Sequence, residues 1–108
     1  MAVNPRFNAL LARMQEIHDR KNHDYAAGDN PYSNFEAAAD SAGVSVDAVF
    51  AVLMGIKQAR IKELTSSNKP PNNESLQDSR LDLAVYAALR ASYFEVLDLP
   101  NERTVRRL

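Results

Sequence analysis

Apolar residues in this chain recur every three or four positions in three long stretches, and nowhere alternate with period two for long enough to make a strand. That periodicity restricts the chain to packed helices. Phe7, Leu10, Leu11, Met14, Ile17 and His18 form the first series. Asn4 is placed to cap it and Pro5 suits its first turn, so a helix is expected over residues 5–24. "AAGDNPY" breaks that helix with Gly28, Asn30 and Pro31. Ser33 followed by Glu36 has capping-box spacing and predicts a short helix over 33–41, ended by Gly43. Ser45 then caps a helix over 46–64 carrying Val46, Val49, Phe50, Val52, Leu53, Ile56, Ile61 and Leu64. "TSSNKPPNN" is loop chemistry, because Pro70 and Pro71 cannot continue a helix. "ESLQDSRLDLAVYAALRASYF" opens the last helix, expected over 74–97, and residues 98–108 form a basic tail. The expectation is one all-α domain over 1–108, a bundle of three long helices and one short one.

Size and composition narrow the class further. A chain of 108 residues holds one compact domain. Leu76, Leu83 and Phe94 lie on a different side of the last helix from Leu81, Val85 and Leu89. That is more apolar surface than a chain of this length easily covers, so a homo-oligomer is expected. The formal net charge of -1 gives no electrostatic case for nucleic acid or an anionic membrane. With no cysteine, disulfides and thiolate metal sites are excluded. The N-terminal segment is interrupted by Arg6, Arg13 and Glu16, so it reads as neither a signal peptide nor a membrane span, and the cytoplasm is the expected compartment.

Three groups of residues carry candidate chemistry. Glu74, Asp78 and Asp82 advance about 40° per step around a helix and make one narrow acidic stripe. Their repulsion calls for compensation, either by Mg²⁺, which takes hard oxygen ligands, or by the helix dipole and basic neighbours such as Arg80. Lys57 and Arg60, three residues apart, share a face of the third helix. They are suited to neutralising those acids or to holding phosphate oxygens. Residues 20–35 gather Lys21, Asn22, His23, Asp24, Tyr25, Asn30, Tyr32, Asn34 and Phe35, dense in groups that hydrogen-bond a base or sugar. The blander reading is a solvated turn with Tyr25 and Phe35 tucked into the core. His23 beside Asp24 is a weaker metal or acid–base pair.

A fourth pattern competes. In "AAADSAGVSVDAVFAVL", Ala39, Gly43, Ser45 and Val49 fall where a helix-turn-helix of the lac-repressor type keeps its small residue, turn glycine, cap and core valine. The helix that would read DNA presents Val46, Asp47, Phe50 and Ala51, with no cation or amide for base edges, so DNA binding is set aside.

Taken together, "HDYAAGDNPYSNF", "VDAVFAVLMGIKQAR" and "LQDSRLDLAVYAAL" resemble the spaced signature of small, mostly phage-encoded helical domains related to the nucleotide-modification-associated domain. The signature is a YG-x-x-x-NF-like loop, an M-x-x-x-K-x-x-R helix and a D-S-x-x-D-x-A-x-Y-A helix. The likeness spans residues 18–90, with Ala26 standing where the first block would have glycine. It implies a phage or prophage origin and points to Lys57, Arg60, Asp78 and Asp82. More distantly, the arrangement is similar to the all-α nucleotide pyrophosphatases of the MazG and dimeric dUTPase kind. Those hold Mg²⁺ between an E-E-x-x-E helix and an E-x-x-D helix; here Lys57 and Arg60 stand where the first acidic set would be. The resemblance therefore implies binding of a nucleotide, cyclic nucleotide or other nucleotide-derived signal, and its sequestration. Lys57 and Arg60 would take phosphates, Asp78 and Asp82 a metal, base or sugar, and Tyr25, Asn34 and Phe35 the mouth. A Mg²⁺-dependent pyrophosphatase using Glu74, Asp78 and Asp82 is the alternative, and a purely structural module is the third reading.

Overall fold

The helix order is α1 (Pro5–Tyr25), α2 (Ser33–Ala42), α3 (Val46–Ser66) and α4 (Leu76–Phe94), in a computed structural model that describes residues 2–25, 28, 30–67 and 75–95. The side chains of residues 22–25 lie outside that description. The described residues are all-helical, as expected, and contain no strand.

Helix ends follow local chemistry. The Phe7 amide donates to Asn4 Oδ1 at 3.0 Å, and Pro5, which has no N–H to satisfy, occupies the first helical position. The Ala48 amide donates to Ser45 Oγ at 3.0 Å to start α3. The α2–α3 corner turns through 98° at Gly43, whose φ of 69° lies in the left-handed region. There the Val44 amide reaches back to the Ala39 carbonyl at 3.0 Å, closing the end of α2.

α2 departs from expectation. Its N-cap is Tyr32, which makes no side-chain capping bond, so the Ser33–Glu36 capping box does not form. One local and one long-range partner take Glu36 instead. Its two carboxylate oxygens accept from Asn30 Nδ2 at 2.6 Å and from the Tyr93 hydroxyl at 2.8 Å. The reciprocal box appears on α4. There the Asp78 amide donates to Ser75 Oγ at 2.9 Å and the Ser75 amide to Asp78 Oδ2 at 3.4 Å. α4 therefore begins at Leu76 and not at residue 74, and it ends at Phe94 and not at 97.

α3 and α4 form the main pair. They run antiparallel, because Lys57 meets Asp82 while Asp47, near the other end of α3, meets Arg90 at 2.6 Å. α2 lies across α3, and α1 rests more lightly on α4. The core is small: Phe35, Ala39, Phe50 and Leu81 are its buried apolar residues among those described, and Phe50 is fully enclosed. The Phe35 and Phe50 rings stack at 4.6 Å between centroids, and the Tyr93 ring meets Tyr32 edge-on at 5.0 Å. Burying a ring as large as Phe50 contributes about 2–3 kcal/mol. Much apolar surface stays outside, including Phe7 and Leu11 on α1 and Val52 and Ile56 on α3.

Candidate functional site

α1 stands off the α2–α3–α4 unit along a groove of about 390 Å³. Its floor is apolar, with Phe35 and Ala38 from α2, Val49 and Leu53 from α3, and Val85 and Leu89 from α4. Its polar lining comes from His18 and Lys21 on α1, Asn34 on α2, and Asp82 and Tyr86 on α4. Helical spacing sets this arrangement. His18 and Lys21 are three residues apart, and Asp82 and Tyr86 four, so each pair projects from one face of its helix.

Asp82 joins three helices. Lys57 Nζ lies 2.9 Å from its Oδ2, with 18% and 23% of the two side chains exposed. Lys21 Nζ lies 3.7 Å from Oδ1 and is 59% exposed. The strong, sheltered contact is therefore the one to Lys57. Lys21 is a loose second partner that water or an anion reaches easily, because an exposed pair at that distance is worth at most a fraction of a kcal/mol.

The expected site residues divide accordingly. Asp82, Asn34 and Phe35 line the groove, Phe35 with its ring packed on Phe50. Lys57 reaches Asp82 but is not part of the lining, and neither is Arg60, which is half-buried on α3. Asp78 is exposed at the start of α4, its carboxylate turned to the Ser75 amide. The acidic stripe is thus split between a helix cap and an ion pair. Glu74 and the side chains of His23, Asp24 and Tyr25 lie outside the described residues. Among the described residues no three His, Asp or Glu side chains gather as a cation site. The described residues of the polar run 20–35 are mostly helical: Lys21 belongs to α1, and Asn34 and Phe35 to α2.

Sequence reasoning overlooked His18, Tyr86 and Ala38 as groove residues, and had Lys21 only as one of the polar run. Two signals were there to find them. A histidine and a lysine border the apolar stripe of α1, and Tyr86 follows Asp82 by one turn. α2 and α3 do meet at a sharp corner of 98°, but Phe50 is fully buried and Asp47 is held by Arg90. Neither is offered to a base edge. Among the described residues no single helix is long and apolar enough to cross a membrane.

No known family, curated protein or solved structure matches this chain.

Proposed function

We propose that this protein binds a nucleotide or nucleotide-derived signal in the α1–α4 groove and sequesters it. One observation carries the reading: a groove of about 390 Å³ places an exposed lysine, an asparagine amide and two aromatic side chains around one apolar floor. That volume is within the range of small-molecule sites, which join a mostly apolar lining to a few convergent polar groups. Lys21 takes a phosphate oxygen, Asn34 a base or sugar edge, and Phe35 and Tyr86 flank the base. Asp82 holds Lys57 and orients the wall. The resemblance to phage-encoded nucleotide-associated domains agrees with this assignment, and with it come a phage origin, the host cytoplasm and self-association through apolar surface such as Val52 and Ile56. A Mg²⁺-dependent pyrophosphatase is the hydrolytic form of the same reading.

Thermal denaturation with a panel of AMP, ATP, dUTP and cyclic dinucleotides, with and without Mg²⁺, tests it. A bound ligand raises the melting temperature by mass action. Ala38→Phe, at an exposed position on the groove wall, abolishes the rise while the protein stays folded. Pyrophosphate release would identify the hydrolytic form. No shift with any nucleotide would end the reading.

A second reading, that the charges only tie helices together, is favoured by the short and sheltered Lys57–Asp82 contact. It predicts loss of stability in Lys57→Met with no ligand effect anywhere.

A further inference from the structure

The groove continues away from its polar end. A second cavity of about 250 Å³ adjoins it and shares His18, Val85 and Leu89 with it. This continuation is walled by Leu11 and Met14 of α1 and by Ala88 and Leu89 of α4, with Gln15 and Ser92 at its edge. α1 and α4 run antiparallel along it. Lys21 and Asp82 mark one end, and Leu11 and Ser92 the other. From Asp82 to Ser92 a helix rises roughly 15 Å. The result is one trough with a polar, cation-bearing head and an almost wholly apolar tail.

We infer that this trough takes an amphipathic anion, with its charged head at Lys21 and a hydrocarbon tail between Leu11, Met14, Ala88 and Leu89. Charge complementarity fixes the direction. Lys57 already satisfies Oδ2 of Asp82 at 2.9 Å, so the ammonium of Lys21, at 3.7 Å from Oδ1 and mostly exposed, turns to an incoming anion at little cost. Apolar lining fixes the other end. An alkyl chain laid there removes its own surface and that of Leu11, which is 45% exposed, from water. The inference rests on the groove reading above and deepens it: the head is a single carboxylate or phosphate, and the tail is acyl. The shared chemistry has two sources, a free fatty acid or an acyl chain carried on a nucleotide phosphate.

Isothermal titration of the full chain with decanoate, decanol, AMP and decanoyl-AMP separates these sources. Ala88→Phe fills the tail from an exposed position, and Lys21→Gln removes the head contact; circular dichroism checks the fold of both. Decanoate is expected to bind wild type and to lose at least about tenfold in Ala88→Phe, a drop equal to roughly 1.4 kcal/mol. Lys21→Gln is expected to weaken decanoate and leave decanol unchanged. Tighter binding of decanoyl-AMP than of AMP supports the tail subsite together with the nucleotide reading. Decanoate bound and AMP ignored supports the subsite and removes the nucleotide. AMP bound equally by wild type and Ala88→Phe, with no gain from the decanoyl chain, overturns the inference and leaves the nucleotide reading standing. Self-association that Ala88→Phe abolishes, with no amphiphile bound, also overturns it: a second copy then covers the trough.

Discussion

The Lys57 ammonium meets the Asp82 carboxylate at 2.9 Å across the α3–α4 seam, and both side chains are largely sheltered from water. The pair sits directly behind the groove wall to which Asp82 belongs. It therefore links the packing of the two central helices to the position of the one carboxylate the groove contains among the described residues.

Asp82→Asn is expected to destabilise the protein by about 1–3 kcal/mol, because it leaves a poorly solvated ammonium facing a neutral amide. The loss stays below the 3–5 kcal/mol or so of a fully buried pair, since both groups keep some contact with water. Urea denaturation of Asp82→Asn, Lys57→Met and the double variant measures it. A coupling energy of about 1 kcal/mol or more marks the pair as a structural tie. Additive losses would mean that the two groups act independently.

Phe50→Ala is expected to cost about 3–5 kcal/mol, the usual range for truncating a buried aromatic. Phe50 is fully enclosed, its ring stacks on Phe35, and few other residues share the core. Against the total of about 5–15 kcal/mol typical of a native domain, that loss removes a large part of the stability. Phe50→Leu, which keeps most of the volume, should lose less than half as much. Equal midpoints in chemical denaturation for the alanine variant and wild type would show that the stack is not the centre of the fold.

The helices were readable from the chain because their signals are local. Asn4, Ser45 and Gly43 each act within a few residues of themselves, and each performs its expected task. α1 and α3 end within two residues of expectation for the same reason. Failures came where a distant partner intervened. Glu36 has the spacing of a capping acid, yet Tyr93, 57 positions away, holds its carboxylate. Asp78 and Asp82 look alike as members of one stripe, but one closes a helix start and the other meets lysines from α1 and α3. The groove was only partly legible because its lining comes from four helices, and no spacing within one helix says that Lys21 will face Asp82.

Two long-range hydrogen bonds set opposite pH limits. The hydrogen bond from Arg90 holds the Asp47 carboxyl below its ordinary value, outweighing burial, which acts the other way. A depressed carboxylate stabilises the fold above its unfolded pKa of about 4, and that contribution is lost as pH falls through the folded value. Asp47→Asn should therefore flatten part of the acid limb of a stability–pH curve. The Tyr93 phenol is raised, first by its bond to the Glu36 carboxylate and then by burial. Its contribution is complete below an unfolded pKa of about 10 and disappears as pH rises through the folded value. Tyr93→Phe should remove that alkaline dependence. Melting curves from pH 2 to 11 check both limbs, and unchanged limbs in the two variants would assign the pH dependence to other groups.

The start of α4 offers a direct separation of cap from metal ligand. Ser75→Ala should cost about 1 kcal/mol, the usual loss for a serine cap. Asp78→Ala should cost a smaller amount, because its carboxylate bonds the Ser75 amide at 3.4 Å and also meets the positive end of the helix. Neither loss should depend on divalent cations. Denaturation of both variants with and without Mg²⁺, alongside calorimetric titration of Mg²⁺ into Asp78→Asn, measures this. A carboxylate that serves as a cap leaves any Mg²⁺ heat unchanged and takes stability with it when removed. If Asp78→Asn instead abolished a Mg²⁺ heat seen in wild type and left stability untouched, the carboxylate would be a ligand and the capping geometry incidental.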